Sequence, residues 1–174
     1  SWEEIANSNG NDDDWLDSQG WYDNTIMVHP FNDNKVYHGG IDTFLSTLTT
    51  SSTKNMINIT DGYNSNGINT NVHVDHHFLD YIITNESLET FKIIHGSDGG
   101  VAISDSKTNP GENNGDFTVK GGGYNTSQFY GADKVIGFNQ YMGGTQDNGT
   151  WLSNRSETAN KNSNYIHKIG GDGF

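Results

Sequence analysis

Three stretches of the chain repeat one pattern, and that repetition limits the fold more than any other feature. Residues 36–46 read VYHGGIDTFLS, residues 93–104 read IIHGSDGGVAIS, and residues 140–153 read QYMGGTQDNGTWLS. Each contains two or three apolar or aromatic residues, a Gly-x pair, an Asp-bearing turn, an apolar stretch and a closing serine. The anchor glycines Gly39, Gly96 and Gly143 are spaced 57 and 47 residues apart, in or near the length of one four-stranded propeller blade. A second element precedes each anchor: GWYDNTIMVHP at 20–30, VHVDHHFLDYI at 72–82 and NTSQFYGADKVI at 125–136. In a propeller the first strand of each blade lines the central channel, so these elements are expected there. The chain therefore reads as all-β: a single partial β-propeller domain over 1–174, built from four-stranded antiparallel blades at about 20–71, 72–124 and 125–166, with strands from adjoining blades at both ends.

Composition agrees with many short strands. There are 22 glycines but only 2 prolines, and asparagine is frequent, which suits Gly/Asn/Asp turns. Aromatics reach 11%, too many for a disordered chain. Helical periodicity is almost absent; its best candidate, Leu79–Phe91, is broken by β-branched residues and Asn85. Short strand-like runs recur at Thr25–Val28, Lys35–Tyr37, Phe91–Ile94, Val101–Ile103, Lys134–Ile136 and Tyr165–His167, each closed by Gly, Asn or Asp. The net charge of −13 repels nucleic-acid backbones and anionic lipid and favours cations, so no nucleic-acid partner is expected. No apolar run approaches the roughly 18 residues that span a bilayer. With no cysteine, no disulfide staples the fold.

The phrases SQGWYDNTIMVHPFNDNKVYHGGID, VHVDHH…GSDGGVAIS, NTSQFYG and GGTQDNGTWLSN resemble bacterial secreted β-propellers of the BNR/Asp-box superfamily, the sialidase-like, sortilin-like and xyloglucanase-like repeat proteins. The likeness covers nearly the whole chain and keeps its order. It implies a blade fold and a place outside a bacterial cell, secreted or on the outer surface. It is weak for activity, because such folds carry both hydrolases and binding modules. The family's Asp-box, S-x-D-x-G-x-T/S-W, is eroded here: Ser46–Thr53, Ser104–Gly111 and Ser153–Thr158 hold its positions without the full pattern, and Ser1-Trp2 resembles the tail of another. The chain is expected to be about three blades of a larger propeller, with open blade edges capped by more chain or by a partner.

The chemistry is less legible. NVHVDHH at 71–77 clusters His73, Asp75, His76 and His77. As a strand it would turn His73, Asp75 and His77 to one face and Val74, His76 and Phe78 to the other. His73 and His77 would then lie about 13 Å apart, so only His73 with Asp75, or Asp75 with His77, could share a metal ion. The plainer reading is a wet channel lined by polar side chains. Asp42, Asp98, Asp147 and Asp172 sit in Gly/Asn-rich turns and read first as turn formers. Oxygen-rich loops also suit Ca²⁺, making Ca²⁺ the one cofactor to consider; the candidate metal ligands are Asp75, His73, His77, Asp98 and Asp147. The run Asn11–Asp14 is a second oxygen-rich stretch, with a solvated acidic loop as its simpler reading. Asp23 and Asp75 hold comparable first-strand positions on different blades and are the candidate carboxylates of a glycosidase, which needs a separation of about 5–9.5 Å. Arg155 is the only arginine, too few for the cluster that clamps a sialic acid carboxylate.

Trp15, Trp21, Tyr22, Tyr63, Tyr124, Phe129, Tyr130 and Trp151 are enough aromatics for a sugar-stacking platform, with inter-blade packing as the alternative. The candidate ligand-binding residues are Trp21, Tyr22, His73, His77, Gln128 and Tyr130. Five N-x-S/T sequons, at Asn58, Asn85, Asn125, Asn148 and Asn154, read as chance in so asparagine-rich a chain. The expected function is a non-enzymatic binding or adhesion module for a glycan or protein ligand. The alternatives are part of a glycoside hydrolase and a structural component of an extracellular assembly.

Overall fold

A computed structural model of the chain describes residues 16, 19–48, 54–120, 127–154, 158–160 and 163–173. The described residues form no α-helix and twelve strands, arranged as three four-stranded antiparallel sheets. Each sheet is a meander whose strands pair in chain order, as in a propeller blade. The chain divides into two compact units, Ser1–Gly122 and Gly123–Phe174.

The first unit holds two sheets. One runs β1 (Thr25–Val28), β2 (Lys35–Gly39), β3 (Thr43–Leu48) and β4 (Lys54–Asn58); the other runs β5 (His76–Asn85), β6 (Thr90–Ser97), β7 (Gly100–Ser104) and β8 (Phe117–Val119). Register places apolar residues in rows across the pleat: Met27 faces Tyr37, Tyr37 faces Leu45, and Leu45 faces Ile57. Met27, Tyr37, Leu45, Ile59, Val72, Leu79, Phe91, Ile93, Ala102 and Phe117 form one core, with Phe31 and Ile57 packed against it. Tyr37, Phe91 and Ile93 are fully buried, and the Phe91 and Ile93 side chains each contribute about 1.5–3 kcal/mol by area. His29 stacks on Tyr37 and meets Phe91 edge-on at 4.7 Å, which ties the two sheets together.

The connection from β4 to β5 is pinned by side chains. Buried Asn69 donates to Ile59 O at 2.8 Å and Gly111 O at 3.2 Å and accepts from the amide of Asp116 at 3.0 Å. Asp61 accepts from the amides of Ser65 (2.7 Å), Asn66 (2.5 Å) and Gly67 (2.7 Å), closing a tight loop. The entry to β5 is then fastened to the β2–β3 turn: the amide of Asp75 donates to Ile41 O at 3.0 Å and that of His76 to Gly40 O at 2.8 Å.

The second unit is one sheet of β9 (Phe129–Lys134), β10 (Tyr141–Thr145), β11 (Gly149–Ser153) and β12 (Tyr165–Ile169). The segment after β12 returns to the sheet, where the amide of Gly173 donates to Thr145 O at 2.9 Å.

All three anchor glycines lie on the second strand of a sheet, beneath a side chain of the first strand. A Cβ at Gly39 would meet Thr25 Cγ2 at 2.9 Å, at Gly96 Phe78 Cβ at 3.1 Å, and at Gly143 the Phe129 ring at 2.4 Å. The repeat is thus a packing requirement. The closing serines have a role too: Ser104 Oγ accepts from the amide of Ile93 at 2.7 Å and Ser153 Oγ from that of Tyr141 at 2.8 Å.

Two local expectations differ. Val135 and Ile136 lie beyond β9 in a turn, where the Val135 amide bonds to Gln140 O. Residues 71–75 are not strand: β5 starts at His76, and Asp75 has φ 64°, which no extended strand can accommodate. The supposed alternation of His73, Asp75 and His77 against Val74, His76 and Phe78 is therefore absent. Asp75 and His76 are both buried, and a register shift separates His76 from Phe78.

Candidate functional site

Asp23, Asp75 and Asp98 reach one place from three turns of the first unit. Asp23 closes the turn before β1, where its amide donates to Gln19 O at 3.1 Å. Asp75 precedes β5, and Asp98 lies in the β6–β7 turn. The amide of Asp98 donates to Asp75 O at 3.2 Å, which holds the last two together through the backbone. An oxygen of Asp75 and one of Asp98 lie within 4.8 Å.

The Asp23 and Asp75 carboxyls are neighbours, each acting on the ionisation of the other. Asp23 is wholly buried and Asp75 is 9% exposed. Neither oxygen of Asp23, nor Oδ1 of Asp75, meets a neighbouring donor group. Burial is the main force raising Asp23, with its own amide and the bond to Asp75 partly offsetting it. Burial, then the negative charges of Asp23 and Asp98, push Asp75 up to about 6.

Asp98 links this pair to an aromatic group. Its Oδ2 accepts from Tyr22 Oη at 2.8 Å, and its Oδ1 lies 2.8 Å from His77 Nε2, which is therefore the protonated nitrogen. The His77 ring stands edge-on to Tyr22 at 4.9 Å. Trp21 lies 5.6 Å from Tyr22 and is 84% exposed. The result is a solvent-facing indole beside a phenol fixed from beneath by a carboxylate and an imidazole.

The sequence candidates are distributed as follows. Asp23 and Asp75 do come together, each acting on the ionisation of the other. His77 pairs with Asp98 in place of Asp75. His73 Nδ1 bonds locally to Val74 O at 3.0 Å, and its side chain lies against Gly99. Gln128, Tyr130 and Asp147 belong to the second unit. There Gln128 O accepts from the Gln146 amide at 2.9 Å, Tyr130 is 46% exposed on β9, and Asp147 sits at φ 56° in the β10–β11 turn, its amide donating to Asp172 Oδ1 at 3.0 Å. Trp151 donates from Nε1 to Asn148 O at 2.7 Å and packs on His167. Asp42 accepts from Gly62 at 3.0 Å, as a turn former does. Ser1-Trp2, Asn11–Asp14, Trp15, Tyr124, Asn125 and Arg155 lie outside the described residues.

The Tyr22–Asp98–His77 group is absent from the sequence expectations as a unit. Tyr22 and Asp98 are 76 positions apart, and the only signal joining them is that each occupies a repeated slot. No family model matches the chain, and no curated protein or solved structure matches it.

Proposed function

We propose that the chain is a non-enzymatic binding module of a secreted or cell-surface bacterial propeller of the BNR/Asp-box type, and that it takes a carbohydrate on Trp21 and Tyr22. One observation carries this reading: Trp21 is 84% exposed while its neighbour Tyr22 is fixed by Asp98 and His77. A large apolar ring held in water at low conformational cost is what stacking on a sugar face requires. The burial of the nearby carboxylates supports binding over hydrolysis, since Asp23 is sealed from solvent.

The test is a glycan array followed by calorimetry on the full chain. Trp21→Ala is expected to weaken the best glycan at least tenfold, about 1.4 kcal/mol, with the melting temperature unchanged because the ring buries little. Glycan binding indifferent to Trp21→Ala removes the platform from the reading.

A glycoside hydrolase is the second reading, favoured by the raised Asp75, which resembles a general acid. Turnover of xyloglucan or sialosides that Asp75→Asn abolishes would establish it in place of the binding module. A structural role in an assembly would show as a mass in solution above that of one chain, through pairing at open sheet edges.

A further inference from the structure

We propose that the Trp21–Tyr22 platform selects sugars that carry a free, protonated amine: a deacetylated hexosamine chain, in preference to a neutral or an acidic one. This rests on the carbohydrate reading above and adds to it the charge of the ligand.

Charge is unevenly placed along the chain. Residues 123–174 hold four acidic and four basic residues, so the whole net charge of −13 falls on residues 1–122, which carry the platform. The same imbalance holds beside the platform itself. The charges acting most on Asp23 and Asp75 belong to carboxylates and imidazoles, with no lysine or arginine among them. Lys35 and Lys107 are engaged elsewhere, with Glu112 and Asp116. The Asp98 side chain is 12% exposed, so solvent and salt screen its charge weakly. Burial comes first in pushing Asp75 up to about 6, and the next two causes are the charges of Asp23 and Asp98. An arriving ammonium meets that same field. A sugar acid meets like charge there, and no guanidinium among the described residues to clamp it.

The aromatic rings supply the other half of the recognition. Trp21 and Tyr22 lie 5.6 Å apart with their planes at 49°, so a ligand on the exposed indole borders the phenol as well. The face of an aromatic ring is electron-rich and attracts an ammonium, tryptophan most strongly. Asp98 stands at the hydroxyl end of the phenol, its Oδ2 2.8 Å from Tyr22 Oη. Each Asp98 oxygen takes one side-chain bond, from Tyr22 or from His77, whereas an ionised carboxylate offers about four acceptor positions and no donor. The turn that carries it is open: a Cβ on Gly100 would have no atom within 4 Å. A hexose with a free amine suits all of these features. Its ring face stacks on the indole, its positive charge complements the carboxylates, and its N–H groups match the unused lone pairs of Asp98. Acetylation removes the charge and all but one of those donors.

The experiment is calorimetry on the full chain with oligomers, equal in length, of glucosamine, N-acetylglucosamine and galacturonic acid, under conditions that keep the amine protonated. The glucosamine oligomer is expected to bind one-to-one and about tenfold or more tighter than its acetylated counterpart, with the galacturonic acid oligomer weakest. Added NaCl should narrow the gap. Trp21→Ala should weaken the glucosamine oligomer about tenfold or more, which separates stacking from diffuse attraction to an acidic chain. Asp98→Asn keeps a side-chain oxygen for Tyr22 and removes the charge, so the ratio of the glucosamine to the N-acetylglucosamine affinity should fall severalfold. Should Asp98→Asn fail to fold, the NaCl dependence and Trp21→Ala decide. Trp21-dependent binding that is equal or tighter for the acetylated or the acidic oligomer overturns the charge selection and leaves the platform standing. So does glucosamine binding that survives Trp21→Ala while N-acetylglucosamine binding does not, and so does an affinity ratio unmoved by Asp98→Asn. If no sugar binds in a Trp21-dependent way, the carbohydrate reading itself fails, and the selection with it.

Discussion

Asp98 is the residue on which the site turns, because its carboxylate holds the aromatic platform and its backbone holds the neighbouring buried acid. Its two oxygens point to Tyr22 and His77 while its amide holds Asp75 O. The Tyr22 hydroxyl therefore does more than decorate a ring. Tyr22→Phe keeps the shape and removes a half-buried bond to a charged group, which contributes about 1.5–3 kcal/mol where the bond is well shielded. Partial exposure places the expected loss near the bottom of that range, read as a lower denaturant midpoint with an unchanged slope. The same variant should also loosen Trp21, visible as reduced anisotropy of tryptophan emission. An unchanged midpoint would mean that the Tyr22–Asp98 bond has no net energetic role.

At the scale of strands and turns, the anchor glycines make a graded prediction. Gly39→Ala drives a Cβ to 2.9 Å from Thr25 Cγ2 and 3.0 Å from His76 Cβ, two groups close to backbone that yield little. Gly96→Ala meets only Phe78 Cβ, at 3.1 Å. Overpacking costs about 1–3 kcal/mol, so Gly39→Ala should sit at the upper end and Gly96→Ala at the lower, measured by chemical denaturation. Equal losses would show that the covering side chain is not the reason for the repeat. This packing rule explains why the blade pattern was legible in the sequence: a glycine under a first-strand side chain leaves a mark at one fixed place per sheet. Strands such as Thr25–Val28 and Val101–Ile103 were legible for the same local reason, an apolar alternation closed by a turn. The site was legible in its members but not in its geometry. Asp23, Asp75, Asp98 and His77 all stood out, yet the strand expected at 71–75 gives way to a turn. The backbone there is set by bonds to Ile41 and Gly40, more than 30 positions away, and no local pattern records such partners. The segment 135–136 misled for the opposite reason: Val and Ile carry strand propensity, but the adjoining Gly137 at φ 81° turns the chain.

Over the whole molecule, acidity and buried imidazoles act in opposite directions. His95 is fully buried against His76 and Phe117 and pairs in register with Leu79 and Ala102, with no carboxylate facing it. Burial, then the neighbouring charge of His76, holds it well below the ordinary histidine range. His29, between Tyr37 and Phe91 and bonded to Thr108 O, is lowered chiefly by burial, with Lys35 adding to the effect and Glu89 opposing it. Both are neutral in the fold and protonate in the unfolded chain near pH 6.5. The unfolded state thus binds more protons, and the histidine contribution to stability is complete above that pH and lost as pH falls below it. For His95 the loss is about 1.4 kcal/mol per pH unit. Asp23 and Asp75, raised in the fold, act with the opposite sign in acid. The measurement is therefore a difference: stability from pH 7.5 to 5.5 should fall more steeply for the parent than for His95→Leu. Parallel curves would mean that His95 is protonated in the fold.

The fastening of β5 to the preceding sheet has a consequence for how such a chain can vary. Two amides, those of Asp75 and His76, meet two carbonyls of the neighbouring hairpin, and none of the four groups belongs to a side chain. These two bonds of the seam therefore depend on backbone position and not on side-chain chemistry. Loops above it are free to exchange their chemistry over generations while the alignment beneath them stays fixed.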